Sequence, residues 1–243
     1  MRIPRIYLAD ELRANGSYQL DEQASQHVQR VLRLKPGDAV ILFDGRGIEA
    51  TAQIESSSGK RTQVHVTDQP HQTDRSPVHI HLGLAMSKGD RMDYAIQKSV
   101  EAGVSEITPL STERTVVKLD NKRQASKHKH WQGIIISACE QCGQNYLPTL
   151  NDVMTLNDWA QQSTSAVNVV FDVEAEQSLS QLSAADSFRV AVGPEGGFSD
   201  AELTMLEQHD FTRTKLGPRV LRAETAAVAA CVAIQVMWGD YAR

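Results

Sequence analysis

The sequence predicts an α/β protein in two parts, a small β-barrel followed by a parallel sheet covered by helices. Short alternating apolar runs, separated by glycine or charged turns, fill the chain up to about Pro70. Beyond Pro77, strand-like runs alternate with stretches of helical apolar period, the pattern of βαβ units. Two glycine turns, Gly193-Pro194-Glu195-Gly196-Gly197 and Leu216-Gly217-Pro218-Arg219-Val220-Leu221, each follow such a strand. Turns at the carboxyl ends of strands form the crevice in which open α/β sheets bind ligands.

In the first part, strands are expected at Gly16–Leu20, Ala39–Phe43, Glu49–Ile54 and Thr62–Val66. One helix interrupts them, from Asp21 as its cap to Leu32, with Ala24, His27, Val28, Val31 and Leu32 at helical spacing. The polar, proline-containing stretch from Gln69 to Pro77 reads as a linker, so domains are expected at 1–72 and 73–243. After it Ile80, Leu82, Leu84 and Met86 alternate as a strand. Met92, Ala95, Ile96, Ser99 and Val100 then mark one face of a helix that stops at Gly103. Further strands are expected at Val104–Leu110, Val167–Phe171, Phe188–Val192 and Thr212–Leu216. Ser199-Asp200-Ala201-Glu202 is a capping box that opens a helix just after the first glycine turn. The segment Ala226–Trp238 is apolar on nearly every face and must be buried on all sides, within the monomer or against a second copy.

A formal charge of −5 over 243 residues argues against a generally basic nucleic-acid coat, so any RNA contact must come from local patches. Arg2, Arg5, Arg30, Arg33 and Lys35 form one such set, and the run from Lys118 to His130 another, which can equally be a solvated helix face. No apolar run reaches the ~20 residues of a spanning helix and the stretch from Met1-Arg2-Ile3-Pro4-Arg5 shows no charged-then-apolar leader, so a soluble, cytoplasmic protein is expected. Three cysteines form no disulfide framework. Cys139-Glu140-Gln141-Cys142 has no second pair to complete a zinc site, and no metal is expected.

The first glycine turn could cradle a phosphate, but no Lys-Ser/Thr follows its last glycine to serve a nucleotide and Mg²⁺. Together the two turns, in this order and this near the C-terminus, resemble the SPOUT class of knotted RNA methyltransferases. Within that class the chain is similar to the RsmE family, the 16S ribosomal RNA uridine-N3 methyltransferases. The likeness runs nearly end to end, through Met1–Arg5, His27–Arg33, Phe43-Asp44-Gly45, Lys98–Val104, Glu113-Arg114 and Cys139–Cys142 to both turns. Where that family has a basic residue shortly after its Glu-Gln pair, this chain has Gln144.

The resemblance implies a PUA-like RNA-binding barrel followed by a SPOUT methyltransferase domain with a C-terminal trefoil knot, acting as a homodimer on 16S rRNA or the small ribosomal subunit. It implies S-adenosyl-L-methionine as cofactor, held by Phe171, Gly193, Glu195, Gly196, Gly197, Leu216, Gly217, Arg219 and Leu221. RNA contacts are expected from Arg2, Arg5, Arg30, Arg33 and Arg114. Uridine N3 carries its proton at neutral pH, so catalysis needs a cation beside the developing uracil anion and a proton acceptor. Arg222 and Glu224 are the candidates. A salt bridge within the loop for Arg222 and a helix-start role for Glu224 are the competing readings. Alternatives for the whole chain are a ribose 2′-O methyltransferase of the same superfamily and a non-catalytic ribosomal RNA-binding assembly factor. A dinucleotide oxidoreductase is disfavoured, because no G-x-G-x-x-G follows a strand.

Overall fold

The computed structural model describes residues 3–115 and 121–242. Chain contacts divide the molecule into two units, Met1–Arg75 with Cys139–Leu147, and Ser76–Ala138 with Pro148–Arg243. The sequence reading cut the chain once, between 72 and 73; the contacts also group residues 139–147 with the first unit.

The first unit holds β1 (Arg5–Tyr7), β2 (Ser17–Gln19), β3 (Ala39–Phe43), β4 (Ile48–Ser58), β5 (Arg61–Val66) and β6 (His71–Gln72). They form one sheet in the order β1-β3-β4-β5-β2, with β6 added to β4. β1 runs parallel to β3 and the other pairs are antiparallel. Alternation along the strands turns Val40, Leu42, Ala50, Ala52, Ile54, Val64 and Val66 into one core, completed by Ile6, Leu20 and Val28. A register shift between Ile54 and Ser56 interrupts the β4–β5 ladder. Part of the expected linker is thus the short strand β6.

The helix expected over Asp21–Leu32 is split. Asp21 caps α1 (Glu22–Gln26), accepting from the Ala24 amide at 2.7 Å. A π-helical turn, His27–Val31, follows, in which the Leu32 amide donates to His27 O at 3.0 Å. The wider turn changes which side chains face inward. Val28 stays buried, whereas Val31, placed on the buried face by helical spacing, is 67% exposed. Arg33 then adopts φ of 55°, an uncommon conformation for a residue with a side chain.

The second unit contains β7 (His79–Ala85), β8 (Glu106–Ser111), β9 (Thr149–Leu150), β10 (Met154–Thr155), β11 (Val167–Phe171), β12 (Ser187–Val192) and β13 (Thr212–Thr214). Their order is β10-β8-β7-β12-β11-β13, with β9 beside β8, and every pairing is parallel. The central strands β7 and β12 are apolar almost throughout, as strands covered on both faces must be. The helices are α2 (Asp90–Glu101), α3 (Asn121–Cys142, whose residues from Cys139 on belong to the first unit), α4 (Leu156–Ala160), α5 (Asp200–Gln208) and α6 (Ala223–Trp238). α2 buries Met92, Ala95, Ile96, Ser99 and Val100, the face that spacing predicts, and the chain turns at Gly103 with φ of 81°. α5 starts at the capping box of Ser199 and Glu202. No described helix is long and apolar enough to cross a membrane.

Two polar arrangements were not legible in the sequence. At the amino-terminal ends of the central strands, Arg189 is buried with its guanidinium 4.2 Å above the Trp159 ring. It donates to the carbonyls of Trp159 and Gln162. The Trp159 indole N–H donates to His81 Nε2 at 3.2 Å, and burial pushes His81 down to about 4. At the chain's end, the fully buried Gln235 of α6 donates to Gly103 O at 2.9 Å. Its own carbonyl oxygen accepts from the Ser76 hydroxyl and the Asp240 amide.

Candidate functional site

Three neighbouring strands, β12, β11 and β13, end on the same side of the parallel sheet, and the loops that leave them enclose a pocket of about 200 Å³. Phe171, Gly193, Glu195, Gly197, Leu216, Gly217, Arg219 and Leu221 all line it. Gly196 does not. Its carbonyl instead accepts from Arg114 Nη1 at 2.6 Å, and the same nitrogen reaches Phe198 O at 3.3 Å. The sequence reading missed Val192, Phe198 and Leu203, which extend the apolar wall, and Ala223 and Ala226, which bring the start of α6 to the pocket.

Backbone conformation explains two of the glycines. Gly197 has φ of 69° and Gly217 φ of 104°, in the region that disfavours a side chain. A Cβ at either would meet nothing within 4 Å, so open space lies directly beside the backbone. The carboxylates in the lining are already paired. Asp172 accepts from Arg213 Nε at 2.9 Å, and Glu195 from Arg91 at 2.8 Å. Arg219, on the exposed second turn, brings a cation to the pocket lining.

Arg222 and Glu224 flank the pocket without lining it. Arg222 is the exposed N-cap residue of α6, its carbonyl accepting from the Ala226 amide at 2.8 Å. Glu224 stands in the first helical turn, where a carboxylate is favoured by the helix dipole. Its Oε2 is nevertheless buried, with no hydrogen-bond partner among the described residues. An unsatisfied buried carboxylate oxygen costs about 1–3 kcal/mol or more and calls for an explanation.

The expected RNA-contacting arginines separate into distinct environments. Arg2 lies outside the described residues, as do Lys118 and Asp120 of the basic run. Arg5 is a correction: only 8% exposed, it pairs with Glu49 at 2.9 Å, donates to Asn145 and lies over the Phe43 ring. Burial and these partners commit its charge to the interior of the first unit, so it offers nothing to a phosphate. Arg30 and Arg33 are exposed, on and just after the π-helical turn. Arg114 spends its guanidinium on the glycine loop as described. Among the described residues, no group of His, Cys, Asp and Glu side chains could hold a metal ion. Cys139 is buried, and burial pushes its thiol well above the usual range.

Family comparison matches residues 74–235 to an RNA methyltransferase domain and residues 20–67 to an RNA methyltransferase PUA domain. The ribosomal RNA small subunit methyltransferase E of Buchnera aphidicola from Acyrthosiphon pisum is 34% identical, across 99% of this chain and 96% of its own. The chain belongs to the RsmE family. The Bacillus subtilis member is 29% identical over 90% of this chain and 89% of its own. Among solved structures, the RsmE of Neisseria gonorrhoeae bound to S-adenosyl methionine superposes with a TM-score of 0.92. It is 33% identical and covers 99% of this chain and 100% of its own. A Legionella pneumophila methyltransferase in complex with the cofactor SAM gives 0.95 at 38% identity, with the same coverage. As in that family, an α/β parallel-sheet methyltransferase domain of SPOUT type follows a PUA-like domain.

Proposed function

We propose that this chain uses S-adenosyl-L-methionine to methylate the N3 atom of a uridine in 16S ribosomal RNA. The observation that carries the reading is the pocket at the ends of β11, β12 and β13, where Gly197 and Gly217 leave open space against bare backbone. The residues present suit the cofactor. Phe171, Val192, Leu216 and Leu221 offer an apolar wall to an adenine, and backbone of the glycine turns lies close enough to the pocket to hydrogen-bond its edge. The lining carboxylates are paired, Arg219 adds its cation on the exposed turn where water screens it, and the chain's acidic balance does not oppose a sulfonium. When bound, the cofactor supplies a methyl group activated for attack by a nucleophilic nitrogen.

The chain's own part is to make that nitrogen available. Arg222 would stabilise the uracil anion through O2 or O4, which strengthens as N3 loses its proton. Glu224 would accept that proton through its Oε2, which is buried and has no hydrogen-bond partner among the described residues. In the first unit, exposed Arg30 and Arg33 would dock RNA phosphates, leaving the second unit to perform the transfer. The division into an RNA-docking domain over 1–72 and a catalytic domain over 73–243 belongs to this proposal. So do a cytoplasmic location and the trefoil knot. The path of α6 supports the knot, since it leaves the sheet edge at β13 yet packs on β7, β12 and α2 at the middle.

A homodimer completes the reading. α6 leaves Val236 and Met237 exposed, with Tyr241 beyond its end and Tyr94 exposed on the adjoining α2, a surface that a second copy would cover. Sedimentation should give twice the chain mass. The activity is tested by incubating small ribosomal subunits lacking the modification with the protein and isotopically labelled S-adenosylmethionine, then mass-mapping the digested RNA. Label in N3-methyluridine is the expected result. Label on a ribose 2′-oxygen would instead place the chain with its 2′-O relatives, and RNA binding without transfer would make it an assembly factor.

A further inference from the structure

We propose that Arg114 is a positioning residue that shapes the cofactor loop, a role depending on the cofactor assignment above. Arg114 sits in the turn that leaves β8, closed by the Thr115 amide donating to Thr112 O at 3.1 Å. β8 is separated from β12 by β7, so the side chain reaches past a whole strand to the loop after β12. There it donates to Gly196 O at 2.6 Å and Phe198 O at 3.3 Å. The neighbouring Glu113 amide donates to Glu202 Oε1 at 2.8 Å, while Glu202 Oε2 accepts from the Ser199 amide at 2.9 Å. One turn therefore grips the loop in its middle and at the helix start that ends it.

The loop needs such a grip. Gly193, Gly196 and Gly197 give it a large choice of backbone conformations. Within it the Gly197 amide donates to Pro194 O at 2.8 Å. Gly193, Pro194, Glu195, Gly197 and Phe198 face the pocket, whereas Gly196 turns its carbonyl to Arg114. The guanidinium thus fixes the outer edge of the loop whose inner edge forms the site. A second tie, Arg91 to Glu195, holds the same loop, and both arginines are exposed. A planar guanidinium with donors in fixed directions suits two carbonyls of one loop, where an ammonium is a single flexible point.

The test compares wild type, Arg114→Ala and Arg114→Lys. Calorimetric titration with S-adenosylmethionine, amide hydrogen exchange of the cofactor-free proteins and the salt dependence of RNA binding are measured for each. Arg114→Ala should bind the cofactor about tenfold more weakly or worse, on the scale of losing charge-assisted hydrogen bonds. Exchange at the amides of residues 196–199 should accelerate. The KM for cofactor should rise while kcat at saturation stays near wild type, and Arg114→Lys should restore only part of the loss. Wild-type cofactor affinity and exchange in a folded Arg114→Ala protein would overturn the role. So would a salt slope for RNA lowered by about one unit with cofactor affinity intact, which would make Arg114 a phosphate contact. If wild type itself fails to bind S-adenosylmethionine, the cofactor assignment falls, and unchanged exchange in Arg114→Ala would then overturn the grip as well.

Discussion

Replacing Gly197 with alanine separates the two reasons a glycine can stand at the pocket. Its φ of 69° puts any L-residue in the left-handed region, a cost of about 1–2 kcal/mol. For a chain of this length, that corresponds to a fall in Tm of roughly 2–8 °C. The new Cβ would meet no protein atom within 4 Å, so it adds no clash to this strain in the cofactor-free protein. With cofactor present, it would compete for space against the lining, and overpacking of about 1–3 kcal/mol translates to roughly 5- to 150-fold weaker binding. Thermal unfolding without cofactor reads the first effect and calorimetric titration the second. Gly196→Ala serves as control, because its Cβ would sit at ordinary contact distance, 3.4 Å, from the Arg114 side chain and outside the pocket lining. If Gly197→Ala lost stability but kept wild-type affinity, the glycine would serve the turn alone and the loop would not approach the cofactor.

Arg222→Ala should lower kcat by about 100-fold or more with cofactor affinity nearly kept, the scale of losing one oxyanion donor, as single-turnover kinetics can show. Glu224→Gln should lose activity at neutral pH and recover part of it as pH approaches the uridine pKa; a wild-type pH–rate profile would leave Glu224 a helix-start residue. His81 is held neutral by burial, down to about 4 from an ordinary 6.5. Between those values the unfolded chain binds the extra proton, so stability should fall as pH drops from 6.5 toward 4, by at most about 3 kcal/mol. His81→Gln should flatten that part of a denaturation–pH profile. Changing Arg30 and Arg33 together to alanine should reduce the salt slope of RNA binding by about 1–2 units with unchanged cofactor affinity; an unchanged slope would move docking elsewhere.

What could be read in the sequence follows from how far each signal extends. α2 carries several turns of apolar spacing ending at Gly103, whereas α5 was read from the Ser199–Glu202 box alone, and both stand where those signals put them. The two glycine turns were legible because each follows a strand-like run, strongly apolar only in β12, and together they bound the pocket. β1, β9 and β10 have two or three residues each, too few to show a period, and exist because a neighbouring strand offers free backbone groups. The π-helical turn escaped because one extra residue in a turn leaves no trace in composition, yet it moves Val31 to the surface. Charge was the weakest guide. Arg5 and Arg189 look like surface cations in the chain, and only the partners brought from afar, Asn145 and Trp159 among them, make their burial possible.

The Gln235 junction makes the C-terminal end of this protein a poor place for editing. One side-chain amide joins the residue that opens the second unit, the turn after α2 and the backbone beyond α6. A side chain at Gly239 or at Gly103 would collide with it, so neither position tolerates substitution cheaply. Truncation before Asp240 would remove one of its donors and loosen the far end of the same helix whose first turn holds Glu224. Affinity tags and fluorescent fusions are therefore better placed at the other terminus, and loss of activity in a C-terminally shortened variant should not be taken as evidence that the missing residues touch RNA.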